Sequence, residues 1–86
     1  MDQQKTIMLS AALRRQGKFR NAIDAVSAAL ASFDSTYLAL AYRELFLAAA
    51  EGGFDPQARQ YAEIVLLLEP GLPSALKYLG RSQASG

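Results

Sequence analysis

Residues 35–51, STYLALAYRELFLAAAE, decide the fold. Asp34 and Ser35 offer a turn ahead of the stretch, and Gly52-Gly53 stops it behind, so the bracketed segment predicts a helix of four to five turns. At 100° per residue its large side chains leave no fully polar face. Leu38, Tyr42, Leu45 and Phe46 share one side, whereas Leu40 and Leu47 look the other way. The only charges in its middle are Arg43 and Glu44. A helix apolar nearly all round has to be covered on more than one side. In a short chain that means flanking helices, with a guest on whatever face they leave open.

The composition fits an all-α protein. Alanine and leucine dominate the 86 residues and β-branched residues are few. That length makes a single domain, 1–86, with a thin margin of stability. Cysteine and histidine are absent, which removes disulfides, thiolate chemistry, the usual zinc ligands and the commonest general base. No nucleophile, base and orienting group can be assembled from what remains, so the sequence predicts no enzyme, metal site or cofactor. Asp24, Glu44, Glu51, Asp55, Glu63 and Glu69 are expected on solvent faces or caps. A formal charge of +1 argues against an electrostatic nucleic-acid binder. No stretch approaches the roughly 20 apolar residues that span a bilayer, and membrane insertion is not expected. The opening apolar run is closed by Arg14-Arg15, the wrong order for a secretory signal. A cytoplasmic location is expected.

Outward from the central stretch, four more helices are predicted. The first runs from Gln3 to Gln16, with Asp2 as N-cap and Gly17 past its end. Arg14, Arg15 and Lys18 complement its C-terminal dipole, which accounts for the RRQGKFR cluster without an acidic ligand. The second runs from Arg20 to Ser32, with Ala22, Ile23, Val26, Ala29, Leu30 and Phe33 on one face. Asp55-Pro56 reads as an acidic cap and N-terminal proline opening the fourth, which reaches Glu69 before Pro70-Gly71. Pro73 opens the fifth, which fades through Gly80 into the polar tail SQASG; residues 83–86 should fray. Short connections make consecutive helices antiparallel neighbours.

Sliding the chain by 36 residues lays Leu9 on Leu45, Gly17 on Gly53, Ala22 on Ala58 and Leu30 on Leu66; sliding by 34 lays Tyr42 on Leu76 and Leu45 on Leu79. The period and the segment GKFRNAIDAVSAALASFD resemble the tetratricopeptide-repeat family of helix-turn-helix units. The resemblance covers two full repeats and the first helix of a third. It implies Ala22 and Ala58 at close helix crossings, Ser10 and Gly80 as the small residues opposite, and Leu79-Gly80 as a large–small pair. Phe46 departs from this pattern, standing where a small residue is expected. A two-residue excess has to be absorbed around Phe33 to Tyr37. The bland alternative is a helical bundle with no repeat.

By the same resemblance, the first helix of each pair lines a concave surface that takes a partner. Its members would be Gln4, Ile7, Ala11 and Arg14; Leu40, Arg43, Leu47 and Ala50; and Ser74, Lys77 and Arg81. Ile7, Ala11, Leu40, Leu47 and Ala50 form an apolar floor, with Arg43, Lys77 and Arg81 as a basic side. Such a groove suits an amphipathic helix or extended segment with an acidic edge. Apolar residues fill most of the ground that a carboxylate clamp for chaperone C-termini would need, so that variant is disfavoured. The expected function is a small chaperone or adaptor working as a hetero-oligomer. In size and groove it is similar to the type III secretion chaperones that cradle a needle subunit. The alternatives are a scaffold that pairs with a second copy of itself and, from another class, a helical-repeat nucleic-acid binder.

Overall fold

The computed structural model describes residues 2–81, and the tail expected to fray at 83–86 lies outside them. Five α-helices follow one another: α1 Gln3–Arg15, α2 Phe19–Ala29, α3 Ser35–Glu51, α4 Asp55–Leu68 and α5 Pro73–Tyr78. No strand occurs among the described residues. The class is all-α, as the composition predicts.

The local reasons are visible at each start and stop. Asp2 caps α1 by accepting from the backbone N–H groups of Gln4 and Lys5, and Asp34 does the same for α3 through Thr36 and Tyr37. Each cap satisfies donors that the first turn leaves without helical partners. The ends of α1 and α3 are alike. Gly17 and Gly53 adopt φ of +80° and +79°. Lys18 N–H then donates to Leu13 C=O at 2.9 Å, and Phe54 N–H to Ala49 C=O at 2.8 Å. Both are Schellman closures, in which the left-handed glycine turns the chain back towards its own last carbonyls. Gly52 has a separate task. A Cβ there would lie 2.7 Å from the Cβ of Phe19, so its smallness admits the start of α2.

Four local expectations are revised. The second helix is α only to Ala29 and finishes as a 3₁₀ turn over Leu30–Ser32 before Phe33 extends; this tighter stretch lies just ahead of the region expected to absorb the extra residues. Asp55 is the first residue of α4 and not its cap: Phe54 holds that place, and the Asp55 carboxylate accepts from Arg59 and Tyr78. Gly80 is not a small residue inside a helix. It sits at φ +70° with Arg81 N–H donating to Leu76 C=O at 2.8 Å, so α5 closes as α1 and α3 do, after only six residues. Glu44 does not lie on a solvent face. Its side chain is 12% exposed and pairs with Arg14 of α1.

Each helix packs on the next, and α1 also lies against α3. One core cluster gathers Ala22, Ile23, Val26, Ala41, Leu45 and Ala49. The other holds Phe46, Ala62, Val65 and Ala75. Eight of the fourteen buried apolar side chains are alanine, so helices approach closely and bury little volume per residue. At the α1–α2 crossing, the buried Ser10 Oγ donates to Ala22 C=O at 3.0 Å, a contact that needs both residues small. The corresponding place in α3 is filled by Phe46, buried and meeting Tyr78 of α5 edge-on with centroids 5.5 Å apart.

Candidate binding face on α1 and α3

The contact between α1 and α3 brings the α1 and α3 members of the expected groove onto neighbouring helices. Ile7 is half-buried against the first cluster, Ala11 is half-buried, and Ala50 touches both clusters. Leu40 is 39% exposed, the most open large apolar side chain of α3. Leu47 is half-buried and rests on the second cluster, so it belongs partly to the core. The described residues enclose no pocket. The floor is a shallow apolar strip, suited to another surface more than to a small molecule.

Arg14 ties the two helices together. Its Nε lies 3.2 Å from a Glu44 carboxylate oxygen and a terminal nitrogen 3.0 Å from Glu51. Burial works against its charge, but the hydrogen bonds and attraction of the two glutamates outweigh that and raise its pKa. With Arg14 and Glu44 16% and 12% exposed, losing one partner would leave the other poorly solvated. The bridge fixes α1 against α3 and so sets the shape of the strip.

The expected basic side is different. Arg43 pairs with Glu69, at the end of α4, while its Nε is buried without a hydrogen-bond partner among the described residues. Arg81 turns to Glu63 of α4 in a bidentate pair with contacts of 2.7 and 2.5 Å. Its pKa is raised by the Glu63 hydrogen bond, and that of Glu63 is lowered by Arg81. Only Lys77 remains exposed and without an ion-pair partner among the described residues. The reason is tertiary: α4 supplies carboxylates to both arginines, and no spacing in the sequence announces which helix will stand beside them. Gln4 and Ser74 are exposed.

No protein family, curated protein or solved structure matches this chain. Its function is therefore argued from the strip and the charges around it.

α5 is held by a second polar cluster. Tyr78 O–H donates to an Asp55 carboxylate oxygen at 2.5 Å, and Arg59 donates to the other at 3.1 Å. The Tyr78 and Arg59 hydrogen bonds lower the Asp55 pKa, and the same bond raises that of Tyr78. The Arg59 guanidinium also lies 5.9 Å from the Tyr78 ring centroid. This cluster was not legible as such, since Asp55-Pro56 reads so readily as a helix cap.

Proposed function

We propose that the chain is a tetratricopeptide-like protein-interaction module, a small cytoplasmic chaperone or adaptor. It holds an amphipathic helical segment of a partner protein against Ile7, Ala11, Leu40, Leu47 and Ala50. The observation that carries this reading is Leu40. It is a large apolar side chain 39% exposed on the central helix, which also carries the half-buried Leu47 and Ala50 and packs against the helix that carries Ile7 and Ala11. Apolar anchors of a partner helix recur every third or fourth residue and fit such a strip. Because Arg43 and Arg81 already have carboxylate partners, apolar contact carries the affinity and Lys77 alone favours an acidic residue at the edge. The narrower identity, a chaperone for a type III secretion needle subunit, rests on size and the paired helices.

The test is capture of the native partner by the full chain and by Leu40→Ala, followed by titration of the captured protein. Leu40→Ala should retain its helical circular dichroism and bind at least tenfold more weakly, since buried apolar anchors are frequent hot spots. Unchanged affinity would place the site elsewhere. A chain that captures only further copies of itself would favour the self-associating scaffold.

A further inference from the structure

All eight carboxylate side chains are engaged within the fold. Asp24, Glu44, Glu51, Asp55, Glu63 and Glu69 form ion pairs with arginines, and Asp2 and Asp34 cap helices. The same pairs occupy Arg14, Arg20, Arg43, Arg59 and Arg81. Four cations are left without an ion-pair partner among the described residues: Lys5, Arg15, Lys18 and Lys77. Three of the four belong to α1 and the turn that follows it. Among the described residues the side-chain charge left unpaired is thus all positive, and most of it is carried along α1 and the turn after it.

α1 also carries the most exposed large apolar side chains of the first two helices. Met8 and Leu9 are 60% and 54% exposed. At 100° per residue, Lys5, Met8, Leu9, Ala12 and Arg15 fall within a third of a turn, opposite the buried Ser10. Stability explains these cations only in part. Lys5 lies in the first turn of α1 and Lys18 is the N-cap residue of α2, both at the positive end of a helix dipole. Arg15 and Lys77 lie in the last turns of α1 and α5, where they are favourable, and Lys18 follows the end of α1 as well as preceding α2.

We infer that the outward face of α1 is a second docking surface, for an amphipathic helix of another protein that sets Asp or Glu beside two apolar anchors. Charge selects this occupant. A second copy of α1 would bring its own unpaired cations and none of its own free carboxylates, so self-pairing through this face is opposed. Nucleic acid finds no aromatic side chain here on which to stack a base. An anionic bilayer finds two large apolar residues, too few for an interfacial helix. The other exposed apolar site, Leu67 and Leu68 at the end of α4, lacks unpaired cations and carries no such argument. This surface is distinct from the strip on α3 and stands without it.

The test uses a displayed library of helix-forming peptides selected on the full chain, with Lys5→Glu/Arg15→Glu as the counter-selection. Enriched peptides should carry acidic residues flanking apolar residues spaced three or four apart. They should lose at least tenfold in affinity on Leu9→Ala and on Lys5→Glu/Arg15→Glu, and weaken as salt rises. Leu40→Ala should leave them unaffected, which separates this surface from the one on α3. Three results would each overturn the inference: enrichment without acidic residues, no enrichment, or binding indifferent to Leu9 and Lys5. So would binding of phosphatidylserine vesicles, or dimerisation, that is lost on the same substitutions.

Discussion

The two helical hairpins close alike and cross differently. Gly17 and Gly53 end α1 and α3 with the same left-handed geometry and the same hydrogen bonds. Inside the hairpins, Ser10 presses on the backbone of Ala22, whereas Phe46 fills the place of Ser10 with a ring and reaches Tyr78. The first hairpin is therefore sealed on itself. The second carries an apolar wedge at that place, and the wedge recruits α5. A turn can repeat while the packing it serves diverges, because the turn is set by one φ angle and the packing by side-chain volume.

The largest effect should come from the wedge. Phe46→Ala removes a buried ring from the smaller cluster and should cost about 3–5 kcal/mol, with loss of α5 docking visible as lost Tyr78 chemical-shift dispersion. If Phe46→Ala and an exposed control such as Gln60→Leu melt alike, the contrast between hairpins fails. Next comes the sealed crossing. Ala22→Leu should cost about 1–3 kcal/mol by overpacking, measured by urea unfolding. The two turns provide an internal check: Gly17→Ala and Gly53→Ala place a Cβ at positive φ and should each cost about 1–2 kcal/mol. Unequal costs would mean the turns are less alike than their angles.

Smallest is the effect of pH on α5. Asp55 has a folded pKa depressed by its hydrogen bonds from Tyr78 and Arg59. Its contribution is present above the unfolded aspartate value, about 3.9, and is lost as pH falls through the lower folded value. Tyr78 is raised by Asp55, so its contribution is present below the unfolded value near about 10 and fades as pH rises through the folded one. The docking of α5 should loosen at both extremes while α1–α2 is unaffected. Asp55→Asn should flatten the acid arm and move the alkaline arm to lower pH when Tyr78 resonances are followed. Asp55 is exposed and Tyr78 only half-buried, so the change is a modest one.

What the sequence discloses follows the range of each interaction. The bounds of α3 were legible from Asp34 and Gly52-Gly53, because caps and stops act over a few residues. The repeat of the turns at Gly17 and Gly53 was legible for the same reason. Gly80 was misplaced because a glycine that ends a helix and one that lets helices cross look alike without φ. The pairing of Arg43 with Glu69 and of Arg81 with Glu63 was not legible at separations of 26 and 18 residues. It removes most of the basic edge expected for the groove. Glu44 is a similar case, since its burial depends on α1 lying against α3. Helical spacing puts Ile7 and Ala11 on one face of α1 and Leu40 and Leu47 on one face of α3, but it does not disclose the core contact of Leu47.

That core contact makes Leu40 the cleaner probe, and methyl chemical-shift mapping of the full chain with its captured partner tests the binding face most directly. The account predicts that the methyl signals of Ile7, Leu40 and Leu47 shift on titration, while those of Leu67 and Leu68 on the far end of α4 stay fixed. Shifts confined to Leu67 and Leu68, with Leu40 unmoved at saturation, would contradict it.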